Sequence, residues 1–172
     1  MIRTRILAID PGTNGMGIAD GIVGETPTLS AIKFRADDDD DHLDILGRAG
    51  RWMWMRVSLH YPDVLAIERP VPPHAARGFT NFDTTMLTIG LYGGLVMIAK
   101  AARIKVVPAH IATWRKAVHG KGNLKGPDAK RRMVELCRQL KWEAPDHNAA
   151  EAAGIWMWAA GTNQEALLRK VA

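Results

Sequence analysis

Apolar residues along the chain fall into short aliphatic runs and longer stretches of helical period, and the two kinds alternate. Arg5 to Asp10 (RILAID) is a short aliphatic run that ends at a Pro-Gly turn, the pattern of a central strand. Met16 to Asp20 reads as a second strand and Thr28 to Phe34 alternates well enough to be a third, and the short loops make them antiparallel neighbours. From Leu43 to His60 the period becomes helical, with Leu43, Ile45, Leu46, Trp52, Met55 and Leu59 available for a buried side. The acidic run Asp37 to Asp41 ahead of it suits the positive N-terminal end of a helix dipole and otherwise reads as a solvated loop. Val64 to Glu68 (VLAIE) predicts a fourth strand, again aliphatic and again closed by a carboxylate.

A proline-bearing loop, Pro70 to Asn81, leads to a helix predicted from about Phe82 to Arg103. Its most apolar part, Met86 to Ala99, is shorter than the ~18 residues of a membrane span, so a buried helix is expected rather than a membrane segment. Gly90, Gly93 and Gly94 inside it cost about 1 kcal/mol each relative to Ala, which implies close backbone packing in return. Ile104 to Val107 predicts a short fifth strand, His110 to Val118 a helix, His119 to Pro127 a glycine-rich loop, and Asp128 to Leu140 another helix. The last helix is predicted from about His147 to Ala160 with Asp146 at its N-cap, and the tail from Thr162 carries no signal. Three antiparallel strands followed by strands joined through helices give an α/β fold, a five-stranded mixed sheet with helices on both faces. At 172 residues, a single domain over 1–172 is expected.

Charge sharpens the picture. The chain carries 23 Lys and Arg against 18 Asp and Glu, a formal +5 that favours a polyanionic partner such as nucleic acid. A lone cysteine, Cys137, excludes an internal disulfide, and no signal-peptide pattern opens the chain, so a reducing cytoplasm is the expected location.

The chemistry lies in the carboxylates. A helical crossover between the third and fourth strands lets the fourth return beside the first in parallel, which would bring Asp10 and Glu68 to one edge. Two carboxylates there repel unless a proton or cation sits between them, and hard divalent ions such as Mg²⁺ take oxygen ligands. Two ions for phosphodiester hydrolysis need a third acid. The last helix offers Glu151, with Asn148 three residues and His147 four residues before it on one helical face, and Asp146 ahead of the first turn. Taken singly, Asp10 is also a turn residue and Glu68 and Glu151 are also surface acids. Two aliphatic strands ending in acids, together with an acid inside AAEAAGIW, fit buried ligation better.

LAIDPGTNGMGIAD at the N-terminus, LAIE at Leu65 to Glu68 and DHNAAEAAGIWMWA near the C-terminus resemble, in order and spacing, the acidic motifs of the RuvC family of Holliday-junction resolvases. The resemblance implies an RNase H-like fold, Mg²⁺-dependent cleavage of branched DNA with two ions per site (Mn²⁺ as a substitute), and a homodimer. It carries over Asp10, Glu68 and Glu151 as catalytic acids and metal ligands. Where the family has a carboxylate or histidine three residues before the last acid, this chain has Asn148, so the remaining ligand falls to Asn148, His147 or Asp146. Trp114 to Arg132 resembles the family's basic stretch. It holds seven Lys or Arg residues (Arg115, Lys116, Lys121, Lys125, Lys130, Arg131, Arg132) against Asp128, and is read as the DNA-binding segment. Lys116 or Lys130 would stabilise charge at the cut phosphate. The family's junction-wedging aromatic has no counterpart directly after Glu68, where Arg69, Pro70 and Val71 stand, and Phe79 or Phe82 is the substitute. The rival readings are another RNase H-like nuclease acting on ends, flaps or RNA/DNA hybrids, an inactive DNA-binding relative, and an actin-like ATPase, for which the chain is too short.

Overall fold

The run Arg5–Asp10 forms strand β1, and its alternation sorts side chains to two faces of a sheet. Ile6 and Ala8 pack to one side, Leu7 and Ile9 to the other, and all four are buried. Antiparallel β2 (Met16–Ile22) pairs with β1, and β3 (Thr28–Ile32) pairs with β2. Helix α1 (His42–His60) crosses over to β4 (Val64–Glu68), which lies parallel to β1, and α2 (Phe82–Ala101) crosses over to β5 (Lys105–Ala109), parallel to β4. The remaining chain is helical: α3 (Ile111–His119), α4 (Gly126–Gln139) and α5 (His147–Val171). Strand order is β3-β2-β1-β4-β5, the expected five-stranded mixed sheet. This computed structural model describes residues 3–171 except 14, 36, 38, 39 and 72–81, with the backbone alone described over 163–171.

Two cores cover the sheet. Leu7, Ile9, Ile18, Leu65 and Ile67 pack against α1 and α2, whereas Ile6, Ala8, Ala19, Val64 and Ala66 pack against α3, α4 and α5. The second face is made of small residues. Gly17 of β2 lies so close to α5 that a Cβ there would stand 1.9 Å from the carbonyl oxygen of Asn148. Ala149, Ala150, Ala152 and Ala153 are fully buried, so the first turns of α5 rest almost directly on the strands.

The sequence-based boundaries differ from the structure in instructive places. β5 runs through Pro108 to Ala109, because an edge strand tolerates a residue that cannot donate to the ladder. α5 does not stop at Ala160 but continues to Val171: the run Gln164 to Lys170 is rich in strong helix formers and carries the helix past Gly161 and Thr162. In α1 the buried stripe is Ile45, Ala49, Met53 and Val57, at strict four-residue spacing, while Leu43, Met55 and Leu59 are exposed.

α2 departs most from expectation. By length and composition it is, among the described residues, the helix apolar enough to cross a membrane. Only Leu87, Leu91, Leu95 and Ala99 are buried, so the helix is covered along one stripe rather than all round. Gly90 does approach a neighbour, since a Cβ there would meet Leu46 at 3.1 Å, but Gly93 and Gly94 face open space within the chain.

Candidate active site

Strand parity places the first two acids. On β1 and β4 the residues that face α5 are Ile6, Ala8, Val64 and Ala66, with Ala8 and Ala66 in register. Continuing that alternation, Asp10 and Glu68 end their strands on the same face. Asp10 is paired with Gly17, the residue on which α5 begins to rest. Glu151, one turn into α5, is 5% exposed. A strand end, a neighbouring strand end and a close-packed helix thus converge on one pocket.

The acids interact there. Burial, then Glu68, then Glu151 push the Asp10 carboxyl well above the usual carboxylate range, and Lys130 and Arg115 oppose the shift. For Glu68, burial is again the main cause and Glu151 adds to it, while the Trp114 hydrogen bond, Arg115 and Lys130 oppose, leaving a pKa of about 7. Each of the other two acids has a specific donor. The Trp114 indole Nε1–H donates to Glu68 Oε2 at 2.7 Å, and Arg115 Nη2 donates to Glu151 Oε1 at 2.7 Å. Lys130 Nζ stands 3.9 Å from Glu151 Oε2, with its side chain 42% exposed.

Arg115 stands apart from the other basic residues. The sequence groups it with the DNA-contacting residues, and the structure buries it in an ion pair with Glu151. The signal was available: Ile111, Trp114, Arg115 and Val118 occupy i, i+3, i+4 and i+7, the inward stripe of α3. The same stripe carries Trp114, whose part in the site was not foreseen. The remaining basic residues face out. Lys116, Lys121, Lys125, Arg131 and Arg132 are exposed, and Lys130 bridges the outer surface and the pocket. Gly120, at φ 74°, ends α3 in the left-handed conformation, and Gly122 lies where a Cβ would meet the Ala112 carbonyl oxygen at 2.5 Å, so this basic loop folds back against α3.

The three residues offered as a further ligand have different settings. Asp146 Oδ1 accepts from the Ala149 backbone N–H at 2.8 Å, the N-cap bond expected of it. His147 is exposed. Asn148 is half-buried and adjoins Gly15, where a Cβ would stand 3.2 Å from its Nδ2. Phe79 lies outside the described residues, and Phe82 is 76% exposed at the start of α2.

Among the described residues, no three His, Cys, Asp or Glu side chains form a ready-made metal cage. The donor chemistry nevertheless fits a hard cation. Burial and the neighbouring acids raise the proton affinity of Asp10 and Glu68, and either protons or an oxygen-seeking divalent ion relieves that repulsion.

No family model matches the chain. Individual relatives do. A crossover junction endodeoxyribonuclease RuvC from Salinispora arenicola is 30% identical over 166 residues, 92% of this chain and 90% of the relative. A protein of the same name from Rhodococcus opacus is 33% identical over 123 residues, 69% of this chain and 61% of its own length. Among solved structures, T. thermophilus RuvC in complex with a Holliday junction substrate superposes with a TM-score of 0.70 at 16% identity, covering 94% of this chain and 96% of that one. The yeast mitochondrial Holliday junction resolvase Ydc2 superposes at 0.58 and 11% identity, covering 99% of this chain and 87% of that one.

The raised Glu68 pKa has a consequence for stability. Its ordinary value is 4.5 and its folded value about 7, so the fold favours the protonated form. The Glu68 contribution is fully present below about pH 4.5 and is lost as pH rises through about 7. In EDTA, Glu68→Gln should therefore gain on the wild type by about 1–3 kcal/mol between pH 5 and pH 8, read from urea unfolding. A difference between the two proteins that stays flat across that range would remove the buried-acid assignment.

Proposed function

The chain belongs to the RuvC family of crossover junction endodeoxyribonucleases, and we propose on that premise that it resolves four-way DNA junctions as a metal-dependent, structure-selective endonuclease of recombination and repair. One observation carries the reading: Asp10 and Glu68, at two adjacent strand ends, share a pocket with Glu151 of the helix packed on them, close enough that Glu151 raises the proton affinity of both. The reading takes 1–172 as one nuclease domain, working in the cytoplasm.

Asp10, Glu68 and Glu151 are the residues we assign to hold the cofactor, which would be Mg²⁺ with Mn²⁺ as a substitute, two ions per site. When bound, the ions supply an activated water and offset the charge on the leaving oxygen. Lys130, adjacent to Glu151 and reaching the surface, would meet the cut phosphate and stabilise its developing charge. Asn148 adjoins the Asp10–Gly17 strand end and is the neutral candidate for the remaining ligand position. Asp146 serves the helix by capping it, and His147 remains a candidate only from its sequence position. Lys116, Lys121, Lys125 and Arg131 face outward, where they would bind phosphates with an affinity that falls with salt. Arg115 acts inside the pocket, holding Glu151.

Two opposing strands must be cut, which calls for two sites related by a two-fold axis. α2 offers the surface for it. Phe82, Met86, Ile89, Gly93 and Met97 form an exposed apolar stripe opposite the buried one, and Gly93 has open space in which a second backbone could approach. A second copy laid on this stripe would bury an apolar face that the monomer leaves in water. The dimer should sediment at twice 18.9 kDa, and Met97→Glu should sediment at 18.9 kDa. A wild type that is monomeric at micromolar concentration, or a variant that dimerises as before, would rule out this interface.

The activity is tested by cleavage of a four-way junction, a flap, a linear duplex and an RNA/DNA hybrid with Mg²⁺ and with EDTA. Junction cutting should dominate and stop with EDTA. Asp10→Asn should lower it by at least about a thousandfold while junction binding persists. Preference for free ends or for the hybrid, or full activity in Asp10→Asn, would overturn the reading.

A further inference from the structure

α3 presents consecutive residues to acids from two different elements: Trp114 donates to Glu68 at the end of β4, and Arg115 donates to Glu151 on α5. The arginine's role follows from charge. The indole's does not, because Trp is ordinarily a packing residue and a neutral one.

Trp114 is fully buried, and its ring is held from several sides. α5 passes it at Gly154, three residues beyond Glu151, where a Cβ would stand 2.7 Å from Trp114 Cζ3 and 3.0 Å from Met133 Sδ. The Arg115 guanidinium lies 5.3 Å from the Trp114 ring and the His119 ring 6.2 Å from it. An indole so enclosed cannot swing, so its N–H points in one fixed direction, and a buried N–H requires an acceptor. Glu68 Oε2 is that acceptor, in a 2.7 Å bond at the short end of the range for a charged acceptor. Glu68 itself sits at a strand terminus with rotatable bonds, and the indole is the one described side-chain donor to its carboxylate.

We propose that Trp114 is a positioning residue for Glu68: the immobile indole N–H binds Oε2 and turns the carboxylate so that Oε1 faces the pocket shared with Asp10 and Glu151. The inference rests on the metal-dependent reading above. Partners that orient a metal-binding side chain in this way are commonly worth 10- to 100-fold in metal affinity. Gly154 belongs to the same device, since a side chain there would push the ring off its seat.

The test separates this from simple packing. In ¹⁵N-labelled protein the assigned Trp114 indole N–H is followed by NMR during Mg²⁺ titration, with the five other tryptophan indoles as internal controls. The Trp114 resonance should shift saturably, and more than the others, and Glu68→Gln should abolish that shift. In parallel, Trp114→Phe should raise the Mg²⁺ concentration for half-maximal junction cutting by about 10-fold or more, with junction affinity in EDTA unchanged. Gly154→Ala, which moves the ring but keeps its donor, should shift the Mg²⁺ requirement the same way, and covers the case in which Trp114→Phe does not fold. An indole resonance that Mg²⁺ leaves in place, or variants with the wild-type Mg²⁺ requirement, would overturn the proposal. A wild type that cuts no junction would sink the nuclease reading instead, and the indole titration would still decide this one.

Discussion

The close seating of α5 on the sheet is the constraint from which the rest follows. Helices usually stand off a sheet by the depth of their side chains, and here Gly17, Ala8 and Ala19 below and Ala149, Ala150, Ala152 and Ala153 above reduce that depth to nearly the backbones themselves. The Glu151 side chain then reaches the rim where β1 and β4 end. Larger residues at these positions would lift the helix and separate the third acid from the other two, even with each element intact.

Convergence has an electrostatic cost. Three acids in a partly dry pocket raise the proton affinity of Asp10 and Glu68, and the chain offsets this with two cations of different character. Arg115 is buried and permanently charged, fixed to Glu151, whereas Lys130 keeps contact with solvent. The pocket is therefore neutralised in part from within, and the remaining negative charge is what would attract a divalent ion. Unrelieved repulsion of this kind is characteristic of functional sites rather than of structural cores.

The strands and the strand-end acids were legible because parallel strands covered on both faces read as continuous aliphatic runs, against which Asp10 and Glu68 stand out. Glu151 was legible for the same reason in an alanine-rich helix. The burial of Arg115 is masked in sequence because it lies in a segment dense with basic residues, and only the helical phase of α3 sets it apart. The part of Trp114 is not legible in sequence, since a hydrogen bond between residues 46 apart leaves no local pattern. The exposed stripe of α2 was hidden by its composition: a helix apolar on every side looks fully buried in sequence, though the chain covers only the Leu87, Leu91, Leu95 and Ala99 side.

The central claim, that the three acids form one cation site, is tested most directly by a crystal structure grown with Mn²⁺ and measured for anomalous scattering. The expected result is Mn²⁺ bound by oxygens of Asp10, Glu68 and Glu151 at roughly 2.0–2.6 Å, the range for hard cations on oxygen. Anomalous density confined to Asp146 and His147, or carboxylates that bind no shared ion at saturating Mn²⁺, would contradict it.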